Sequence, residues 1–315
     1  MNVELPHTTA NAASPGPTGG GADVRRSAPV PPGRMPPAAS RARPGRSVAR
    51  LTAERAPLAL RSRLGFRDGD RGTHASRTIM LAELHALLDA CSETATREEY
   101  RAAIVEENVL GRRTHQARRV TAQKLSELYG LDPSLPVFRG LRRMWSVDAA
   151  TRPLLALLCA FARDPLLRHS AATVLPLTPG DRLAVTRFAA DLSSAIGDRF
   201  SEKTLATCGR RIGSSWSQAG FLEGGTMKAR KRPEVAPATA AYAMFLGYLD
   251  GYRGQRLFSS VWARLLDRSE VELTSLLGAA SRRGLLDYRA TGSVVEVRFG
   301  AWLTREDQEI VREQD

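Results

Sequence analysis

The chain has 315 residues, 43% of them hydrophobic, and carries a formal net charge of +13 with an isoelectric point near 10.5. That apolar share excludes a chain disordered throughout, while a positive excess of this size costs self-repulsion and suits a polyanionic partner, nucleic acid or an anionic membrane surface. A membrane span is excluded: the longest apolar run, residues 153–162, is roughly half of the ~20 residues a spanning helix needs, and Arg163-Asp164 end it, so it reads as a buried core helix.

Residues 1–73 hold ten of the 18 prolines and twelve arginines against five acidic residues. Such a segment cannot bury enough apolar surface to offset its ordering entropy and is expected to be disordered. Two accounts of it stand side by side: a basic tail that adds sequence-independent attraction to phosphate, or an upstream extension without function, the working chain starting near Met80. A short helix around 51–64 is compatible with either.

From Arg77 the pattern is helical. Ile79, Leu81, Leu84, Leu87 and Leu88 recur at three- and four-residue spacing, making one apolar face. Ser92 or Thr96 caps a second helix to Leu110, and Thr114 caps a third that ends at Gly130. Helices over 138–145 and 153–161 complete an all-α bundle over 77–175.

Pro176 and Pro179-Gly180 mark a boundary. A helix over 181–196 follows, then a second over 201–219 with Ser201 as its cap and Glu202 in its positive first turn. Gly220 stops that helix, Phe221-Leu222 open an extended segment, and a Gly-Gly turn leads into a basic loop. Helix, glycine stop, short apolar strand and basic loop is the order of a winged helix-turn-helix, here over 177–236. The order returns over 238–303: helices over 240–252, 257–266 and 269–283, then a hairpin whose strands alternate at period two about Thr291-Gly292-Ser293. Residues 304–315 are read as a C-terminal tail. The expected fold class is therefore mostly α, a helical bundle followed by tandem winged helix-turn-helix modules with short β-hairpin wings.

The candidate DNA-binding residues fall in three groups. In the first wing, Lys228, Arg230, Lys231 and Arg232 are expected to put at least three positive charges on any conformation of the loop, as phosphate or minor-groove contacts or as a solvated basic loop. On the preceding helix, Lys203, Thr207, Arg210 and Ser214 share one face, with Arg211 beside it, whereas Leu205, Cys208, Ile212 and Trp216 look like core. In the bundle, Arg112, Arg113, Arg118 and Arg119 cluster at a turn, either a phosphate site or an exposed basic corner. The second module, with Glu270 and Glu272 on its third helix and Arg282, Arg283 and Arg289 only near its wing, is less suited to reading nucleic acid than to docking.

No enzyme is expected. GxxxxGK[ST], GxGxxG and GxSxG patterns are absent from the sequence, and Glu106-Glu107 lack a nearby His or Ser partner. Cys91, Cys159 and Cys208 are far apart without CxxC spacing, and the five histidines form no HxxxH pair, so neither a disulfide framework nor a metal site nor a cofactor is expected. Buried thiols in a reducing cytoplasm fit best, and no secretory signal is read at the start.

The runs RTIMLAELHALLDA, EYRAAIVEENVLGRRTHQARRVTAQKLSELYGLD, FRGLRRMW, LLALLCAFARDPLLR and SEKTLATCGRRIGSSWSQAGFL resemble the BrxA family, accessory proteins of BREX phage-defence systems. The resemblance covers 77–299; the Arg/Pro-rich start departs from it. It implies an N-terminal domain similar to the NusB antitermination fold, followed by winged-helix modules that bind double-stranded DNA. The expected function is thus a non-enzymatic, cytoplasmic duplex-DNA-binding protein with other BREX proteins as partners and neither membrane nor small-molecule substrate. An RNA-binding factor of the antitermination type and a protein-docking subunit of a defence complex are the alternatives.

Overall fold

The structure, a computed structural model, describes residues 57–197, 200–292 and 294–314. The expected disordered tail lies outside the described residues as far as residue 56. Its last part does not fit that reading. Residues 58–63 form helix α1 (Leu58–Arg63), and behind it Leu64 and Phe66 are buried, as are Thr73 and His74 in a 3-10 turn at Thr73–Ala75. The composition of 1–73 as a whole hides this short apolar stretch.

Eight helices then follow. They are α2 (Leu81–Ala90), α3 (Arg97–Val105), α4 (His115–Tyr129), α5 (Pro136–Trp145), α6 (Arg152–Arg163), α7 (Pro165–His169), α8 (Ala171–Val174) and, after strand β1 (Arg182–Ala184), α9 (Thr186–Ile196). The caps are those the sequence offers: Thr96 forms a capping box with Glu99, and the Thr114 side chain accepts from Ala117 N–H. Helix α6 carries the long apolar run and is buried along its whole length from Leu154 to Arg163.

Helix α10 (Glu202–Gln218) packs on α9, and the strands β2 (Leu222–Gly224) and β3 (Met227–Arg230) follow it. The sheet runs β1-β3-β2, antiparallel throughout, with Leu183 opposite Lys228 and Glu223 opposite Ala229. The expected helix over 181–196 is therefore shorter, because its first turn is strand β1. Three residues are too few to show a period of two, and their extended form depends on pairing with β3, some forty-five positions on. Gly209 and Gly213, four apart on α10, let α9 approach closely: a Cβ at Gly209 would stand 3.0 Å from the Ala189 nitrogen.

The rest comprises α11 (Pro237–Leu249), α12 (Arg256–Ser259), α13 (Val261–Arg264), α14 (Glu270–Arg282), the hairpin β4 (Asp287–Thr291) and β5 (Val294–Arg298), and α15 (Arg305–Arg312). A boundary between modules is expected at 236–238, where Pro237 stands. Pro237 instead opens a helix that is buried on all sides, with Tyr242 Oη donating to Val137 O at 2.8 Å and Phe245 lying against Gly140 of α5. One continuous core joins the bundle to both later segments, so 77–175, 177–236 and 238–303 do not separate into independent units. The expected tail 304–315 is α15, capped by a Thr304–Asp307 box and burying Ile310 and Val311. Among the described residues the chain is mostly helical, with two small antiparallel sheets.

Candidate nucleic-acid interface

Strand β3 decides what the expected basic wing presents. A strand sends alternate side chains to opposite faces, so Lys228 and Arg230 share one face, and that face is inward. Lys228 is 7% exposed, and its Nζ donates to Ser217 Oγ at 2.9 Å and to Gly224 O at 3.0 Å. Desolvation pulls its pKa below the usual lysine value. Arg230 is 2% exposed; its guanidinium lies 4.9 Å from the centre of the Phe221 ring and donates to Asp267 Oδ2 at 2.9 Å. These two residues are therefore structural fasteners rather than free charges, a correction to the expected wing. Loop residues escape the alternation, but a strand imposes it.

Lys231 and Arg232, beyond the strand, are about half exposed, and each meets a carboxylate. Lys231 Nζ lies 3.1 Å from Glu223 Oε2, and Arg232 Nη2 lies 3.2 Å from Glu272 Oε2 while also donating to Asp267 O. Half of the expected wing charge is neutralised at the surface and half is inside.

The helix face fares better. Ser201 caps α10, accepting from Thr204 N–H. Leu205, Cys208, Ile212 and Trp216 are buried as expected, with the Trp216 ring edge-on to Phe221 at 4.8 Å and its Nε1 donating to Ser170 Oγ. Lys203 and Arg210 are exposed, and Thr207 and Ser214 half-buried, along one stripe of the helix. Arg210 Nη2 donates to Thr207 Oγ1 at 2.9 Å, which leaves its charge uncompensated. Arg211 lies off that stripe: it turns to the 3-10 segment and donates to Ala75 O.

The four arginines of the bundle divide likewise. Arg112 pairs with Glu83 at 2.6 Å, and Arg118 donates to the carbonyls of Val105 and Arg112, so both hold the turn between α3 and α4 in place. Arg113 and Arg119 are exposed and have no ion-pair partner among the described residues. Arg119 lines a cleft of about 580 Å³ between α3 and α4.

One constellation escaped the sequence reading. His74 Nδ1 lies 2.9 Å from Asp164 Oδ2, and its Nε2 lies 2.9 Å from Ser215 Oγ. Serine, histidine and aspartate in that order are the parts of a hydrolytic triad. Here all three are sealed: His74 and Ser215 have no exposed surface, and Asp164 only 1%. Ser215 Oγ also accepts from Ile79 N–H and donates to Arg211 O, while Asp164 caps α7 by accepting from Leu166 and Leu167. The relay pins the segment before α2 to α6, α7 and α10. Burial raises the Asp164 pKa, but the pull of His74 and the hydrogen bonds outweigh it and hold the carboxyl below its ordinary value. Nothing in the sequence could have flagged it, since its members are separated by 90 and 141 positions.

Among the described residues no group of His, Cys, Asp and Glu could hold a metal ion, and no helix is long and apolar enough to cross a membrane. No family model matches the chain, and no curated protein matches it. Among solved structures it is similar to the magnesium ion-bound crystal structure of SspB, at 10% identity and a TM-score of 0.47, over 82% of this chain and 99% of that one. A likeness of that degree carries no functional inference.

Proposed function

We propose that the chain is a non-enzymatic double-stranded-DNA-binding protein that uses α9, α10 and the β1-β3-β2 sheet as a winged helix-turn-helix, with the α10 stripe against the duplex. The observation that carries the reading is the pairing of that topology with an open stripe: strand, two packed helices and a returning two-stranded ribbon, with Lys203 and Arg210 exposed and Thr207 and Ser214 half-buried beside them on the second helix. A helix with cations and hydroxyls along one face suits contact with phosphates and groove edges. Arg113 supplies further positive charge; Lys231 and Arg232 are paired with Glu223 and Glu272, and Lys228 and Arg230 hold the ribbon in shape. The role within a BREX-type phage-defence system, beside larger defence proteins, and the NusB-like character of the bundle rest on the family resemblance. The basic tail, where it is present, adds charge that does not depend on the fold.

The test is a duplex titration with the full chain at several salt concentrations, beside single-stranded DNA and structured RNA of equal length. Replacing Lys203 and Arg210 by Gln removes two exposed cations that have no carboxylate partner among the described residues. Binding should weaken, and the log–log salt slope should flatten by about 2, at roughly 0.9 per phosphate contact. Unchanged duplex affinity, or stronger competition by RNA, sinks the reading.

A second reading, protein docking, is favoured for the last segment by two apolar side chains held in the open: Val271 on α14 is 80% exposed and Val294 on the hairpin 69%. Under it, Val271→Ser with Val294→Ser leaves DNA binding intact and removes capture of a defence-system partner.

A further inference from the structure

The cleft of about 580 Å³ on the bundle is lined by five arginines and two glutamates, and three of the arginines are not spent on holding the fold. Two of the arginines have an evident task. Arg163, 8% exposed, donates to Ser126 O, Glu127 O and Gly65 O, and Arg67 donates to Glu127 O at 3.0 Å. Both close the C-terminal end of α4, where free carbonyls and the negative end of the helix dipole favour cations. The other three have none. Arg97 and Arg101 stand one turn apart on α3, and Arg119 faces them from α4. Arg97 comes only within 3.9 Å of Asp132, and Arg101 and Arg119 have no carboxylate partner among the described residues.

The carboxylates do not balance them. Glu127 is taken by Lys124 at 2.8 Å, Thr73 at 2.9 Å and Gln123 at 2.9 Å, which leaves Glu98 in the lining and Asp132, at 3.9 Å from Arg97, as the carboxylates near the group among the described residues. Guanidiniums gathered round a concavity repel one another unless an anion joins them, and their planar forks match phosphate oxygens two at a time. The volume lies within the range of small-molecule sites, roughly 300–1,000 Å³. No aromatic ring lines the cleft, so there is no platform for a base.

We infer that the cleft between α3 and α4 binds a compact anion carrying two or more adjacent phosphate groups, held by Arg97, Arg101 and Arg119 above a floor charged by Arg67 and Arg163. Recognition is of the phosphate chain, and one end of the ligand is left free for whatever the phosphates are attached to. The site is independent of α10 and of the DNA-binding proposal.

Calorimetric titration of the full chain at low salt with inorganic triphosphate, and separately with inorganic phosphate, tests it. Triphosphate should bind at micromolar to tens of micromolar concentration, and single phosphate at least tenfold more weakly. Arg101→Gln with Arg119→Gln, both exposed, should weaken triphosphate at least tenfold with an unchanged circular dichroism spectrum. Lys203→Gln with Arg210→Gln should bind it as the parent does. Absence of heat up to millimolar triphosphate, or an undiminished affinity in the Arg101/Arg119 variant, overturns the inference. So does displacement of bound triphosphate by a blunt duplex, which would make the cleft part of a DNA surface. Because the two double variants lie on different helices, failure of the cleft and failure of the α10 stripe read out separately.

Discussion

Arg230 and Asp267 are joined at 2.9 Å across the junction between the three-stranded sheet and the final segment, with the guanidinium 2% exposed beneath the Phe221 ring. Removing the cation would leave a partly buried carboxylate without its partner and an empty space under an aromatic ring. We expect Arg230→Ala to cost about 2 kcal/mol, less than the 3–5 kcal/mol of a fully buried pair because Asp267 keeps some contact with water. Chemical denaturation of this variant beside the Lys203/Arg210 variant separates fastener from ligand contact. Loss of duplex affinity without loss of stability in Arg230→Ala would contradict the inward placement of β3.

Gly140 lets α5 approach α11 closely. A Cβ there would stand 2.9 Å from two atoms of the Phe245 ring and 3.0 Å from Tyr242. Rings locked in a core cannot yield by that much without moving their helix. Gly140→Ala should therefore destabilise by about 1–3 kcal/mol despite the better helix propensity of alanine. Thermal unfolding decides it: a raised midpoint would mean the two helices are not in contact at this position.

Acid should weaken the start of α14. Ser269 N–H and its hydroxyl, and then Arg232, hold the Glu272 carboxyl down at about 2, whereas an unfolded glutamate titrates near ~4.3. A folded value below the unfolded one means the contribution is present above about pH 4.3 and fades as pH falls through 2. Glu272→Gln should show a flatter stability profile between pH 5 and 2 than the parent, by guanidinium titration at each pH. Parallel profiles would mean that the Ser269–Glu272 capping box contributes nothing to stability.

The three thiols should differ in reactivity. Burial pushes the Cys159 thiol up to about 11 and that of Cys208 to about 12, and both are closed off, whereas Cys91 is only half-buried. The Cys91 thiol is raised as well, by desolvation. Alkylation of the native protein at pH 8, read by mass spectrometry, should label Cys91 slowly and the others only after denaturant is added. Early labelling of Cys208 would mean that α10 opens from α9.

Local signals in the sequence carried the helices well. Thr96, Thr114, Ser201 and Ser269 all cap where the Ser/Thr-before-apolar pattern puts them, and the β4–β5 hairpin follows its alternation. The stripe on α10 was legible for the same reason, since a period of 3.6 alone sorts Lys203 and Arg210 from Ile212 and Trp216. What was not legible depended on distant partners. Strand β1 exists because β3 pairs with it, Arg230 turns inward because Asp267 waits there, and Arg61 is buried because Asp250 and Asp68 receive it. Arginine in a Pro-rich stretch reads as solvated; only the assembled core reveals a counterion. The cleft was missed because Arg97 and Arg101 on α3, Arg119 on α4 and Arg163 on α6 are brought round one concavity only by the fold.

The fastening of residues 57–76 has a consequence for the order of events during synthesis. Arg61 meets Asp250, and His74 meets Ser215, which is 141 positions later in the chain. The first part of this core to leave the ribosome is therefore among the last to find its partners, and closing loops of that length slows folding. Meanwhile Leu64 and Phe66, both fully covered at the end, wait in water beside a nascent helical bundle. A nascent chain in that state is a natural client for a holding chaperone. A shortened chain that begins at residue 77 never completes the step at all: it keeps Asp164 and Asp250 in the interior and discards the His74 ring and the Arg61 guanidinium that meet them.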